Sequence, residues 1–184
     1  RHVLADGAWV DHRPGWLANS DEVFRALLGP IGWRADSRQF YGRQTVVPRL
    51  LRWYEPGEAL PHPLLAEARG RLNQRYGAEL GEEFVTAGLC LYRDGRDSVA
   101  WHGDRYGKGR TGDTMVALLC LGEPRPLVFR PAGGGPEVLR LSLGHGDLAV
   151  MGGSCQRSHD HCVPKTDRPV GPRISVQFRP VGVA

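Results

Sequence analysis

The second half of the chain, from Phe84 onward, alternates apolar and polar residues with a period of two, and this restricts the folds open to it. Seven short runs follow one another there: FVTAGLCLY, SVAWH, MVALLCL, LVFR, EVLRL, DLAVM and RISVQF. Clusters of turn-forming residues separate them, such as Arg93-Asp94-Gly95. Many short strands with frequent turns favour an antiparallel sandwich or barrel over βαβ units.

One glycine-rich segment, Gly133-Gly134-Gly135-Pro136, lies between two of these runs. A phosphate-binding loop would continue into a lysine and a helix, and this segment does neither. The sequence therefore predicts a hairpin turn here.

Two helices are predicted before the strands. The first begins at Ser20, where a hydroxyl can cap it, and stops at Gly29-Pro30. The second begins at Pro63 and ends at Gly77. Their apolar faces consist of Val23, Phe24, Leu27 and Leu28 in the first helix and Leu65, Ala68, Leu72 and Tyr76 in the second. Such faces indicate structural helices that pack on a sheet.

The size of the chain favours a single domain over residues 1–184. With 184 residues, 41% of them hydrophobic, the chain can bury one core. We expect an N-terminal extension over 1–83, containing both helices, and a β-rich core over 84–180.

No apolar run approaches the roughly 18 residues of a membrane span, and no signal peptide is evident, so we expect a soluble, cytoplasmic protein. The four cysteines form no metal-binding pattern and are expected to be reduced thiols.

The net charge of +4 permits a polyanionic partner, and the distribution of charge says more. Arginines and aromatic rings are interleaved between Trp33 and Tyr54: Arg34, Arg38, Phe40, Tyr41, Arg43, Arg49, Arg52 and Trp53 lie there. Such a mixture suits phosphates and unstacked bases. A solvated basic face above core aromatics has the same composition, and the two readings stay open.

The segment His102-Gly103-Asp104 follows one of the predicted strands. Residues i and i+2 of a strand face the same side about 6.5 Å apart, so both side chains can reach one ion. A polar pair at a strand end has the same sequence, and the motif alone does not decide between them.

The C-terminal segment adds further candidates. It carries histidines at 159 and 161, and then a strand whose odd positions are all polar: Arg173, Ser175, Gln177 and Arg179. A half-exposed strand also alternates in this way. If the polar side faces a barrel interior, its guanidiniums need anionic partners, and a dicarboxylate is a natural one.

Together these motifs resemble the AlkB family of Fe(II)- and 2-oxoglutarate-dependent dioxygenases. The resemblance rests on His102-x-Asp104, on His161-x-Val-Pro, and on Arg173 and Arg179 in PRISVQFRP. Shorter similarities are Tyr92-x-Asp94-Gly95, Gly146-Asp147-Leu148, Met151-Gly152-Gly153 and Val47-Pro48-Arg49. They extend from about Val47 to Pro180.

The resemblance implies a mainly β (α+β) fold, a double-stranded β-helix or jelly roll with buttressing N-terminal helices. It implies that His102, Asp104 and His161 are the catalytic metal ligands for Fe(II), and it selects His161 over His159. It also implies that 2-oxoglutarate, with O₂ as cosubstrate, is bound by Tyr92, Arg173, Ser175 and Arg179.

Two positions depart from the family pattern. Cys90 stands where the family usually has asparagine, and losing that hydrogen bond to a charged group would cost about 1.5–3 kcal/mol unless Ser175 or water compensates. Arg105-Tyr106 stands where acids often follow the metal pair.

The implied activity is the oxidative removal of alkyl groups from nucleic-acid bases, on a single-stranded or flipped nucleotide. Candidate substrate-binding residues are Arg49, Trp53 and Tyr54, in a substrate-recognition region within 1–83. The expected protein is a monomer without a membrane partner. The same iron chemistry on a protein or small molecule, or a nucleic-acid-binding jelly roll without turnover, remain as alternatives.

Overall fold

The structure is a computed structural model that describes residues 1–40, 43–105 and 107–183, with the backbone alone at 38–40 and 43–46. Its helices are α1 (Ser20–Leu28), α2 (Pro63–Leu80) and α3 (Cys155–Ser158). Its strands are β1 (His2–Val3), β2 (Trp9–Arg13), β3 (Arg34–Phe40), β4 (Arg43–Tyr54), β5 (Thr86–Tyr92), β6 (Val99–His102), β7 (Val116–Gly122), β8 (Arg125–Pro131), β9 (Leu139–Leu143), β10 (Leu148–Gly152), β11 (His159–Val163) and β12 (Arg173–Arg179).

The described strands form two antiparallel sheets. The larger sheet has the order β1-β2-β10-β7-β12-β5-β4-β3, and the smaller has the order β6-β11-β8-β9. Most neighbours in the central part of each order, such as β10-β7-β12-β5 and β6-β11-β8, are non-consecutive in the chain, as in a jelly roll. The predicted mainly β jelly roll with helices on one side is thereby confirmed.

The larger sheet separates two hydrophobic cores. One core lies between this sheet and the helices and includes Leu27 of α1, Leu72 of α2 and Val176 of β12. The other lies between the two sheets and includes Leu118 of β7 and Phe129 of β8. Because both faces of the central strands are covered, all seven residues of β5 are buried, and the sequence there reads as a nearly continuous apolar run.

The helices agree with the sequence-based prediction except at their ends. Helix α1 starts after Asn19, whose φ of 57° is left-handed, and no side chain caps it, so Ser20 does not act as the predicted cap. Helix α2 continues one turn past Gly77 and stops at Leu80. The stop lies there because Gly81, with a φ of 76°, takes the left-handed conformation that ends a helix.

Several strands were missing from the prediction. The N-terminal part contributes β1 to β4 to the larger sheet. Strands β3 and β4 were missed because their run of arginines and aromatic rings does not alternate regularly. Strand β11 was missed because its residues, HDHCV, are mostly polar although all are buried. The predicted turn at Gly133–Gly135 does join β8 and β9. The division into an extension and a core stays a prediction.

No helix among the described residues is sufficiently long and apolar to cross a membrane.

Candidate active site

One cavity between the two sheets collects most of the residues singled out in the sequence. Its polar lining consists of Arg49, Cys90, Tyr92, His102, Asp104, His161, Arg173, Ser175, Gln177 and Arg179. Apolar side chains, among them Leu118, Leu127 and Met151, complete the wall. The polar groups come from both sheets, so only the closed sandwich brings them together.

The three predicted metal ligands share one wall of this cavity. The register of β6 and β11 pairs His102 with His161, and their ring centroids are 4.3 Å apart. Oδ1 of Asp104 lies 4.0 Å from Nε2 of His102. His159 lies further along β11, opposite Pro131, and its Nδ1 is 2.8 Å from the hydroxyl of Ser158. The cavity therefore includes His161 and leaves His159 outside.

The backbone between the two N-terminal ligands passes very close to α3. A Cβ at Gly103 would lie 2.4 Å from the carbonyl oxygen of Gln156, so a side chain does not fit there. The Gln156 side chain accepts the N–H of Asp104 at 2.9 Å. Helix α3 thus fixes the turn that carries Asp104 back to the cavity.

Both histidines are held in the neutral form that a metal requires. Nδ1 of His102 lies 2.9 Å from the carbonyl oxygen of Ala100, which can only accept, so Nδ1 carries the proton and Nε2 keeps its lone pair. Burial lowers the pKa of His102, and it lowers the pKa of His161 to about 3. Nδ1 of His161 is buried without a hydrogen-bond partner among the described residues.

Asp104 is held as a carboxylate. Burial would raise its pKa, but the charge and hydrogen bond of Arg179, together with the two neighbouring histidines, outweigh burial and lower the pKa to about 2. Nε of Arg179 donates to Oδ2 of Asp104 at 2.7 Å. That contact leaves Oδ1 on the side of His102.

Two neutral imidazoles and one carboxylate are the donor set of non-haem Fe(II) oxygenases, so the residues fit this metal by the chemistry of their donors. As the side chains stand, no three His, Cys, Asp or Glu side chains in the described ranges are close enough together to enclose an ion. Fe(II) would be held by His102, Asp104 and His161 after these side chains move closer together.

Arg173 brings an uncompensated charge into the cavity. It is 1% exposed, and its Nε and Nη1 have no hydrogen-bond partner among the described groups. Its Nη2 lies 3.0 Å from Sγ of Cys120, and its guanidinium lies 4.9 Å from the ring centre of Tyr92. Burial raises the pKa of both Cys120 and Tyr92, so neither carries a charge at neutral pH. A buried guanidinium in this state fits a carboxylate ligand.

Ser175 lies between Arg173 and Arg179 on β12 and faces Cys90 across the sheet. Gln177 connects the two: its Nε2 donates to Oγ of Ser175 at 2.6 Å, and Sγ of Cys90 lies 3.7 Å from its Oε1. Sequence reasoning did not select Gln177 as a site residue. The signal was present, because Gln177 has the same odd parity on β12 as the three chosen residues.

The predicted substrate residues lie on two opposite faces of β4: Arg49 and Trp53 on the cavity side, and Tyr54 on the helix side. Arg49 lines the cavity and donates to the carbonyl oxygen of Ser98 at 3.0 Å. Trp53 points to the same face, where its ring covers Gly88, and Arg179 lies 5.7 Å from the ring centre. These two residues are placed where a substrate group could reach them.

Tyr54 is placed differently from the prediction. It is 5% exposed and belongs to the core beneath the helices, because adjacent residues of a strand face opposite sides. A buried ring in that core cannot stack on a base, and we correct the assignment of Tyr54 as a substrate contact.

The basic and aromatic run is only partly described. Tyr41 lies outside the described residues, and the side chains of Arg38, Phe40 and Arg43 are likewise not described. Arg52 binds Glu58 at 2.6 Å and is stacked on Tyr54, which makes it part of a surface network.

Arg105 follows the metal pair but does not enter the cavity. It donates to Asp160 at 2.6 Å, on the outer side of β11. Asp160 also faces Arg130, which stacks on Trp101. Tyr106 lies outside the described residues. Arg105, which departs from the family pattern, thus forms an ion pair with Asp160 outside the cavity.

Comparison with known proteins identifies relatives over most of the chain. Residues 17–179 match the 2OG-Fe(II) oxygenase superfamily. Alpha-ketoglutarate-dependent dioxygenase alkB homolog 3 of Homo sapiens is 31% identical over 91% of this chain and 64% of that protein. The Bos taurus protein of the same name is 29% identical, with the same coverage. DNA oxidative demethylase ALKBH2 of Mus musculus is 27% identical over 98% of this chain and 83% of that protein. The chain thus spans less than two thirds of the alkB homolog 3 relatives.

Solved structures show the same fold. One, titled "The structure of OsALKBH1", superposes with a TM-score of 0.61 at 15% identity and covers 97% of this chain and all of its own. A prolyl-4-hydroxylase from Pseudomonas putida superposes with a TM-score of 0.58 at 19% identity and covers 92% of each chain. At these identities the likeness concerns the fold alone.

Proposed function

Because the chain belongs to the 2OG-Fe(II) oxygenase superfamily, and to the AlkB family within it, we propose that it is an Fe(II)- and 2-oxoglutarate-dependent dioxygenase that removes alkyl groups from nucleic-acid bases. The observation that carries the proposal is the convergence, in one cavity, of His102, Asp104 and His161 with the uncompensated guanidinium of Arg173. A metal site and a carboxylate site are both needed for this chemistry, and the cavity offers side chains for each.

In the proposed mechanism, the protein's own groups bind and orient the reactants. His102 and His161 offer lone pairs, and Asp104 offers Oδ1 while Arg179 holds Oδ2. Arg173 pairs with the distal carboxylate of 2-oxoglutarate, assisted by the hydroxyls of Tyr92 and Ser175. Fe(II) with O₂ and 2-oxoglutarate supplies the oxidation of an alkyl carbon when bound. An N-alkyl group hydroxylated at that carbon then leaves as an aldehyde.

The substrate class follows the relatives, whose names include a DNA oxidative demethylase. We propose an alkylated base in single-stranded or flipped form, since a base inside a duplex cannot reach a cavity between two sheets. Trp53 and Arg49, in the region over 1–83, are the proposed substrate contacts. We further propose that the protein acts as a monomer in the cytoplasm.

Turnover with a matched pair of oligonucleotides tests the proposal. The Fe(II)-loaded protein is incubated with 2-oxoglutarate and a single-stranded oligonucleotide carrying one methylated base, or the same oligonucleotide unmethylated. We expect succinate and a loss of one methyl group in mass. Absence of succinate would argue for a binding protein without turnover, and succinate with an unchanged base would argue for a protein or small-molecule substrate.

Two histidine variants on one strand provide the control. His161→Ala should abolish metal binding and turnover, whereas His159→Ala, outside the cavity, should keep both. His102→Ala should behave like His161→Ala. Calorimetric titration with manganese(II) measures binding independently of turnover, and full activity of either His102→Ala or His161→Ala would refute the site.

A further inference from the structure

Gln177 lines the cavity between the two arginines of β12, and the sequence motifs give it no role. It is half-buried, and it reaches Ser175 on its own strand and Cys90 on the neighbouring one. Its amide could act on a ligand either by direct contact or through Ser175 or Cys90.

The hydrogen bonds of the amide decide this. Its Nε2 lies 2.6 Å from Oγ of Ser175 and 3.3 Å from the carbonyl oxygen of the same residue. An amide nitrogen carries two hydrogens, so both are used within β12. Its Oε1 faces the thiol of Cys90, which acts as a weak donor. Gln177 therefore has no N–H left to offer to an anion.

Ser175 is left with the opposite capacity. It is 1% exposed and lines the cavity. Because its oxygen accepts from Gln177, its own O–H is free to donate and is turned away from the amide. This donor stands on the strand that carries Arg173 and Arg179, at a place where a carboxylate is attracted from both sides.

We propose that Gln177 is a positioning residue that orients the hydroxyl of Ser175 toward bound 2-oxoglutarate. This relay, from the Cys90 thiol through the Gln177 amide to the Ser175 hydroxyl, supplies the neutral donor that an asparagine at position 90 would otherwise provide. The inference rests on the proposed function, because it requires 2-oxoglutarate as the ligand. In this chain the Ser175 hydroxyl, oriented by Gln177, would therefore donate to 2-oxoglutarate in place of an asparagine amide at position 90.

A double-mutant cycle on 2-oxoglutarate affinity tests the relay. Affinity is measured by calorimetry with manganese(II) in place of iron, so that no turnover occurs. Ser175→Ala should weaken binding by about tenfold to a hundredfold, since it removes a hydrogen bond to a charged group. Gln177→Leu should weaken it by about three- to tenfold, since the hydroxyl remains but loses its orientation. The double variant should bind like Ser175→Ala alone.

An isosteric variant separates orientation from packing. In Gln177→Glu the carboxylate would accept the Ser175 proton and add a like charge, so binding should be weaker than in Gln177→Leu, although the shape is kept. Ser142→Ala on β9 and Gln74→Leu on α2 make the same chemical changes at exposed positions, and should leave affinity unchanged.

The outcomes distinguish the two proposals. If the wild type binds 2-oxoglutarate and the Ser175 and Gln177 effects add, or if Gln177→Glu binds like the wild type, the relay is wrong and the dioxygenase proposal stands. If the wild type with manganese(II) binds no 2-oxoglutarate, both fall.

Discussion

Arg173 illustrates at the scale of one residue how binding capacity opposes stability. Its guanidinium is fully buried beside a neutral thiol and a neutral phenol. Burial of a charge without a charged partner costs folding free energy, and that cost is recovered only when an anion binds. The residue is therefore expected to destabilise the ligand-free protein.

We predict that Arg173→Met raises the free energy of unfolding by about 1–3 kcal/mol, because a similar apolar volume replaces the buried charge. The same variant should lose measurable 2-oxoglutarate binding. Urea denaturation and calorimetry check the two effects. Arg96→Met, at an exposed position paired with Asp94, serves as the control and should change stability by no more than about 0.5 kcal/mol. A clear loss of stability in Arg173→Met would contradict the uncompensated charge.

Cys90 allows a second prediction at this scale. It is 8% exposed, lines the cavity and offers only a weak S–H donor. We expect Cys90→Asn to bind 2-oxoglutarate about threefold to tenfold more tightly, since an amide can donate to Gln177 and to the ligand together. Cys90→Val, which has no donor, should show no gain. Equal or weaker affinity in Cys90→Asn would mean that this position does not face the cosubstrate.

At the scale of elements, Asp147 holds together three segments at the end of the larger sheet. Its Oδ1 accepts the N–H of Gly15, and its Oδ2 accepts the N–H of Gly144, at 2.8 and 2.9 Å. Nε2 of His12 lies 3.3 Å from Oδ2. Burial would raise the pKa of Asp147, but these hydrogen bonds outweigh it and lower the pKa. The carboxylate thus joins β2, the segment before α1 and the turn before β10.

We predict that Asp147→Asn lowers the free energy of unfolding at neutral pH by about 1.5–3 kcal/mol, since a charged acceptor of two backbone N–H groups is lost. The folded-state pKa lies below the unfolded value of about 3.9, so the stabilisation is present above that value and is lost as pH falls through the folded pKa. The difference between wild type and variant should therefore shrink below about pH 4. Urea unfolding at several pH values measures this, with the exposed Asp167→Asn as control; a difference that persists in acid would contradict it.

At the scale of the whole molecule, the two sheets enclose more positive than negative charge. The described cavity lining contains Arg49, Arg173 and Arg179 against Asp104, while both histidines are held neutral. A bound metal and a dicarboxylate cancel each other approximately, and so leave this excess in place. Arg49 is the cation of this set that neither Asp104 nor the proposed cosubstrate pairs with.

We therefore predict a preference for neutral alkylated bases over cationic ones, because like charges repel strongly where water is excluded. On matched single-stranded oligonucleotides, kcat/KM should be higher for a thymine methylated at N3, which is neutral, than for a cytosine methylated at N3, which is a cation. Arg49→Gln should shift this ratio about three- to tenfold toward the cation. Arg140→Gln, exposed on β9, should leave the ratio unchanged, and a wild-type preference for the cation would overturn the prediction.

The sequence by itself determined the fold class, the two helices and the types of groups in the site. Period-two runs and helical stripes report burial directly, since each residue's neighbours within its own element set which face it occupies. For the same reason β11 was missed, because its buried histidines and Asp160 replace the apolar residues that mark a strand.

Only the tertiary structure decided which polar groups meet. The pairing of His102 with His161, the placement of Tyr54 in the helix-side core and the link from Cys90 through Gln177 to Ser175 all depend on register between strands distant in the chain. Register is fixed by the packing of two sheets, a long-range property that local periodicity does not contain.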